Sequence, residues 1–314
     1  MMQRLWSKKP VRLSIFVSWT VFVFLVSLVW TYPSDALVAE IEAAVSKGVK
    51  LKHFEVTSAG LSGLGVALKG VEVVTAKGDA KLPWKMDRLW VGLKGFRFDP
   101  QKPALRFAVD AYEGSVSGLY NDGELQLEVD DLNLARAMPM QKIVRVGLGG
   151  QLEGSVQAKL SPKGLRKLNG EIDLTLVDAF VGPGEVPIPG FGSDLSFPKA
   201  TVGTIPLDIT IRKGELELKS FKVTGGDVEL AGEGTLKFMS RLNASRFDMA
   251  FDVHATKKLN STQEGKNLLT ALDPKSPLLP SRIKRSFSKK GWLGVSLEGR
   301  LARPRIKVRK SRVQ

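Results

Sequence analysis

From Val49 onward, apolar and polar residues alternate along much of the chain. The clearest runs are VALKGVEV (residues 66–73), ELQLEV (124–129), EIDLTL (171–176) and ELELK (215–219). Because successive side chains of a strand point to opposite faces, this period of two is typical of antiparallel strands with one buried and one solvated face. We therefore expect a mainly β fold, built as an elongated antiparallel β-sheet or sandwich with a few short helices. A sandwich is the simpler expectation, and an open sheet with an apolar groove is the alternative.

Glycines mark the connections between these runs. Such a glycine comes just before or at the start of four runs: Gly123, Gly150, Gly170 and Gly214. This spacing indicates hairpin turns that feed successive strands, and Gly225-Gly226-Asp227 is also predicted to be a hairpin turn. Residues 182–198 are rich in glycine and proline, which predicts a long irregular loop or an inter-sheet crossover.

Two short helices are predicted outside the alternating runs. Residues 33–48 have Ser34 as an N-cap, apolar residues at helical spacing and Gly48 as a stop signal. Residues 261–280 comprise a second helix, with Leu268, Leu269 and Leu272 on one side, and a proline-containing linker.

Residues 13–30 form an uncharged apolar stretch of eighteen residues, about 27 Å long as a helix and enough to cross a hydrocarbon core. The predicted anchor spans residues 13–32, and its large apolar side chains are Leu13, Ile15, Phe16, Trp19, Phe22, Phe24, Leu25, Leu28 and Trp30. Four basic residues precede the stretch: Arg4, Lys8, Lys9 and Arg12. The twelve residues behind it carry three acidic residues and no basic one. The positive-inside rule then places residues 1–12 in the cytoplasm.

A cleaved signal peptide is the alternative interpretation of this segment. It would need a shorter apolar core and a small-residue cleavage site, and no Ala-x-Ala stands near the end of the stretch. Trp30 and Tyr32 instead suit the aromatic belt of a retained span. We expect a single-pass protein of a bacterial inner membrane, with a periplasmic β-rich domain over residues 49–260.

The net charge of +15 is concentrated at the C-terminus. Residues 281–314 hold twelve Lys or Arg and one acidic residue, Glu298. Two strands are predicted there, over residues 292–299 and 306–308, joined through Arg303-Pro304, so much of this charge is expected on a solvated strand face. Such a segment could bind anionic lipid or an acidic protein. The predicted topology argues against nucleic acid as a binding partner.

The sequence predicts no catalytic, cofactor-binding or metal-binding residue. The chain has no cysteine and only two histidines, His53 and His254. Each is predicted on a strand with a carboxylate two residues away, Glu55 and Asp252, a pairing that is common on solvated sheets. No Walker A, GxSxG or HExxH motif is present, and we expect that the protein is not an enzyme and needs no cofactor.

Several glycine and apolar patterns follow one another along the chain. They lie at residues 31–37 (TYPSDAL), 63–71 (GLGVALKGV), 209–230 (ITIRKGELELKSFKVTGGDVEL), 232–236 (GEGTL), 242–249 (LNASRFDM) and 294–306 (GVSLEGRLARPRI). In these patterns and in its layout, the chain resembles the general secretion pathway protein N family, GspN, in its longer myxobacteria-like form. The resemblance implies an accessory inner-membrane component of the type II protein secretion system, whose periplasmic domain binds other secretion proteins. It carries over no active-site residue.

The same strand pattern is also similar to AsmA-like envelope proteins, especially its Gly-x-Leu-x-x-Pro ending at residues 299–304. That resemblance implies a lipid-binding or lipid-transport protein, with phospholipid or another anionic lipid as its partner. Of the two, the secretion component is the favoured expectation.

Overall fold

The computed structural model describes residues 35, 37–42, 53–77, 80–94, 104–137, 146–160, 165–186, 195–239, 244–277, 279–300 and 303–313. The predicted cytoplasmic residues 1–12 and the predicted anchor, residues 13–32, lie outside this part of the chain. Within it, no helix combines the length and the apolar character that a membrane crossing requires.

Fifteen strands make up most of the described chain. They are β1 (His53–Ser62), β2 (Gly65–Lys77), β3 (Ala80–Leu93), β4 (Leu105–Ala111), β5 (Gly114–Asn121), β6 (Glu124–Asn133), β7 (Val146–Lys159), β8 (Asn169–Val186), β9 (Leu195–Phe197), β10 (Ala200–Arg212), β11 (Glu215–Val223), β12 (Val228–Lys237), β13 (Arg246–Ala255), β14 (Leu293–Arg300) and β15 (Arg303–Arg309).

All fifteen strands belong to one antiparallel sheet. Strand order follows chain order from β1 to β15, except that the short β9 pairs only with β8 and lies off the main path. The mainly β, antiparallel prediction is therefore confirmed, and the hydrogen-bonded order is that of a single sheet. The predicted C-terminal strands continue it, although Arg303-Pro304 lies within β15 and not in the connection before it.

Within the described part of the chain, tight hairpin turns connect five pairs of neighbouring strands. Asp122-Gly123 and Lys213-Gly214 both have positive φ at their two residues, 47° and 82° in the first and 50° and 75° in the second. Such paired left-handed residues match the twist of the flanking strands. Gly225-Gly226-Asp227 also joins two strands, as predicted. Gly150, by contrast, lies inside β7 beside a register shift, so it marks an irregularity within a strand and not a turn.

Residues 182–198 only partly form the predicted loop. β8 continues through Gly182 to Val186, and β9 folds back onto it with Gly184 opposite Phe197. The prediction of an irregular loop was therefore wrong for residues 182–186 and 195–197. Proline and glycine are tolerated in the strand at this place because its neighbour β9 is only three residues long. Residues 187–194 lie outside the described part.

In the described part of the chain, the helices are few and short. A helical segment covers residues 35 and 37–42, in the region predicted as 33–48, and we call it the N-terminal helical segment. Helix α1 is Gln263–Leu272, and the Thr262 side chain caps it by accepting from the backbone N–H of Gly265. Helix α2 is the single turn Ser281–Lys284. Short 3₁₀ turns cover Leu134–Arg136, Leu165–Lys167 and Lys257–Ser261.

Several strands contain β-bulges that shift the alternation by one residue. In β6 the register changes between Val129 and Leu132, where Asp131 has a φ of 51°. In β11 it changes between Leu218 and Phe221. Because a bulge places two residues of one strand opposite one of its neighbour, apolar residues three apart return to the same face.

The described residues form three buried clusters along the sheet. The N-terminal cluster comprises Val56, Ala59, Leu68 and Val71. The C-terminal cluster comprises Ala179, Ala200, Val202, Ile205, Val223, Val228, Leu259 and Leu268. A third consists of Leu168, Ile211 and Leu216.

Candidate functional site: an apolar face that crosses the sheet

One face of the sheet is apolar from its first strand to its last. A single register row takes one residue from each strand of the main path, and every member is apolar or glycine. The row is Leu61, Val66, Val91, Phe107, Gly118, Leu127, Val156, Ile172, Ile209, Leu218, Gly234, Met249, Leu297 and Ile306. We call the surface that carries this row the apolar face. At about 4.8 Å between strands, the row extends roughly 60 Å along the sheet.

The neighbouring row on the opposite face is polar. It is Ser62, Gly65, Gly92, Arg106, Leu119, Gln126, Gln157, Glu171, Thr210, Glu217, Thr235, Asp248, Glu298 and Arg305. Leu119 is its one large apolar side chain. We call this surface the polar face. The contrast between the two rows shows that the register of the strands places the apolar residues of each strand on the same face of the sheet.

Helical segments cover parts of the apolar face on either side of its centre. The N-terminal helical segment packs Leu37, Val38 and Ile41 against the N-terminal cluster, and the Glu42 carboxylate accepts from the Val56 N–H at 3.2 Å. In the C-terminal half of the sheet, α1 inserts Leu268, which is 1% exposed, into the C-terminal cluster over strands β8 to β13.

The middle of the apolar face is less covered. We define the central apolar stretch by Phe107, Val116, Leu127, Val129 and Val156, which are all only half-buried. Among the described residues, β5, β6 and β7 contribute no buried apolar side chain. Contiguous exposed apolar surface is uncommon on proteins that have no partner for it.

A cavity of about 450 Å³ lies where the apolar face meets α1. Its walls are almost wholly apolar and come from β8, β9 and β12 to β15, from Leu269 and Leu272 of α1, and from Phe287 after α2. Ile306 of β15 also lines it and is 53% exposed, so the cavity opens to solvent at the edge of the sheet. Its size and character fall within the range of small-molecule sites.

A basic segment flanks this cavity. We define it by Arg282, Lys284, Arg285, Lys289 and Lys290, which surround Phe287 in sequence and are exposed or half-exposed. Within the described part of the chain, none of the five forms an ion pair. The segment is therefore a concentration of positive charge without a described ion-pair partner, next in sequence to two residues that line the cavity, Phe287 and Gly291.

Other C-terminal cations are neutralised on the polar face. Arg309 donates to the Asp252 carboxylate at 2.9 Å and to the Phe251 carbonyl, and its side chain is 18% exposed. Arg312 pairs with Glu233 and also donates its backbone N–H to Asp252. The predicted solvated strand face therefore holds for part of the basic charge, such as Lys307, whereas Arg309 is largely buried.

In each of two exposed ion pairs, one member has a shifted pKa. Hydrogen bonds donated by Lys307 and Ser296 lower the pKa of Glu298. The hydrogen bond and charge of Asp208 raise the pKa of Lys219, whose Nζ lies 2.7 Å from that carboxylate. Both pairs lie on the polar face, away from the cavity.

The two histidines have different surroundings. His53 bonds Glu55 at 3.1 Å, as its spacing predicts. His254 does not pair with Asp252; its Nδ1 lies 3.1 Å from the Gly291 carbonyl oxygen and its ring stacks on Trp292. The predicted anchor and orientation residues, between Arg4 and Trp30, lie outside the described part of the chain.

The cavity is not predicted by the sequence alone. Its walls come from segments between Val181 and Val308, and no single stretch signals their meeting. Phe287, an apolar residue within a basic run, is the one local signal that could have pointed to it.

The apolar face and the cavity can both bind hydrocarbon, because the transfer of apolar surface out of water is favourable and does not depend on direction.

Comparisons of the chain with protein-family models, curated proteins and solved structures return no match.

Proposed function

We propose that the protein binds the hydrocarbon chains of lipids along the apolar face. The observation that carries this proposal is the unbroken apolar row from Leu61 to Ile306, with its half-buried centre. Each methylene transferred from water to such a surface is worth about 0.8 kcal/mol, so a long chain can bind without any specific polar contact. The role is one of binding and needs no catalysis.

The proposed setting is the bacterial envelope. Residues 13–32 anchor the chain in the inner membrane, residues 1–12 are cytoplasmic, and the sheet lies in the periplasm. A sheet tethered in this way stands next to a lipid source, which agrees with the resemblance to AsmA-like proteins.

The test compares two changes on adjacent residues of β6. Leu127→Lys puts a charge on the apolar face, whereas Gln126→Lys puts the same charge on the polar face. The full chain, extracted from membranes in mild detergent, is titrated with a fluorescent fatty acid and examined by native mass spectrometry for phospholipid. Since a charge among methylenes is costly, Leu127→Lys should weaken binding at least about tenfold, and Gln126→Lys should not.

Equal binding by both variants, or no lipid on the unmodified chain, would refute the proposal. Circular dichroism and urea unfolding establish that each variant is folded. If Leu127→Lys does not fold, Leu127→Asn replaces it, with Gln126→Asn as its control.

The second candidate function is an accessory component of the type II secretion system, which binds other secretion proteins. The observation that favours it is the pair of sheet edges: β1 and β15 each have one hydrogen-bonded neighbour in the described part. An open edge can receive a strand from a partner. β1 is the better candidate, since β15 carries the charges and the proline that usually block such pairing.

This second function is tested in cells. Deleting the gene should reduce the amount of folded protein released into the medium, with neighbouring secretion genes intact, and complementation should restore it. An unchanged secretome would rule against it and would leave the lipid proposal standing.

A further inference from the structure

We propose that the cavity beneath α1, together with the basic segment, forms a site for a lipid with an anionic phosphate headgroup. The cavity holds the end of a hydrocarbon chain, and the basic segment holds the phosphate. This inference rests on the proposed function and adds to it a place and a ligand class.

The cavity supplies the apolar half of the site. Val295, Ile306 and Val308 of the apolar face form one wall, and Leu269 and Leu272 of α1 form another. A chain that follows the apolar face toward β15 arrives at this cavity, because Ile306 belongs both to the apolar row and to the cavity lining. The half-exposed side chain of Ile306 marks the opening.

The basic segment supplies the charged half. Phe287 and Gly291 line the cavity, and Lys289 and Lys290 lie between them in sequence and are exposed. Because none of the five cations of the segment pairs with a described carboxylate, binding an anion there breaks no ion pair. Phosphate groups are favourable partners for such Lys and Arg clusters.

Among the described residues that line the cavity, one is a carboxylate, Asp273, and it is already engaged. Asp273 accepts from the backbone N–H of Lys275 at 2.8 Å, which holds it in the turn after α1. We therefore place the headgroup at Lys289 and Lys290 and not at the α1 side.

The experiment titrates the detergent-solubilised full chain with phosphatidylglycerol and with phosphatidylcholine of identical acyl chains, read by native mass spectrometry. Phosphatidylglycerol should bind more tightly. The double change Lys289→Gln, Lys290→Gln should weaken its binding about twofold to thirtyfold, as expected for two exposed charge pairs, and leave phosphatidylcholine binding unchanged. The control removes two exposed lysines elsewhere, Lys167→Gln with Lys213→Gln, and should change neither affinity.

A second pair of variants tests the cavity. Ile306→Trp narrows the opening and should weaken both lipids, whereas Arg305→Trp, one residue away on the polar face, should weaken neither. Inorganic phosphate at millimolar concentration should not displace phosphatidylglycerol; displacement would identify a simple anion site and overturn the inference.

The remaining outcomes separate the two proposals. Equal affinity for both lipids, or no effect of Ile306→Trp, overturns this inference and leaves binding along the apolar face intact. Failure of both lipids to bind overturns the inference and the proposed function together.

Discussion

At the scale of single residues, Gly232 shows how tightly the apolar face is packed. It lies on β12, opposite Phe221 of β11 and Phe251 of β13. A Cβ atom at this position would come within 2.8 Å of both phenyl rings. The two rings thus close over the glycine, and a side chain there must displace them.

Gly232→Val should therefore lower the free energy of unfolding by about 1–3 kcal/mol, the usual cost of overpacking. The control is Gly60→Val in β1, where no atom lies within 4 Å of the added Cβ and φ is not left-handed. Urea unfolding of both variants gives the difference. A Gly232 variant as stable as the Gly60 variant would contradict the packing described for this face.

A substitution of Arg309 tests the buried ion pair on the polar face. Its partner Asp252 is 5% exposed, so removing the guanidinium leaves a buried carboxylate without its counter-charge. Arg309→Met should lower the free energy of unfolding by about 3 kcal/mol. Arg305→Met, an exposed position on the same strand, should change it by less than about 0.5 kcal/mol. Similar urea midpoints for the two variants would argue against the buried pair.

At the scale of elements, Leu268 is the most buried side chain through which α1 packs against the sheet, at 1% exposed. Leu268→Ala should lower the free energy of unfolding by about 2–5 kcal/mol, since it empties a fully buried site. Thr270→Ala, on the exposed side of the same helix, should cost less than about 0.5 kcal/mol. Chemical denaturation measures both. Equal losses would mean that the helix does not cover the C-terminal cluster.

Most strands could be predicted from the sequence, whereas the bulges could not. Glu124 to Val129 alternates cleanly and lies in β6, but Asp130 and Asp131 then add a residue that simple alternation does not contain. A bulge depends on the neighbouring strand as well as on its own residues. Such a shift is visible in the sequence as a spacing of three between apolar residues. Examples are Val129 and Leu132 in β6, and Leu218 and Phe221 in β11.

At the scale of the whole molecule, an apolar strand face could be predicted but its continuity could not. Each run of alternating residues predicts one half-buried strand, and only the register between strands brings Leu127, Ile172 and Ile306 into one row. The cavity depends on even more distant contacts, because Val181 and Val308 both line it. Single-sequence patterns carry no information on such pairings.

The most direct test of lipid binding places a photoreactive side chain on each face of β6. A benzophenone-bearing residue replaces Leu127 in one variant of the full chain and Gln126 in another, and both are illuminated in native membranes. Mass spectrometry should find a phospholipid adduct at position 127 and none at position 126. Equal adducts at both positions, or none at position 127, would contradict the proposal that the apolar face carries hydrocarbon chains.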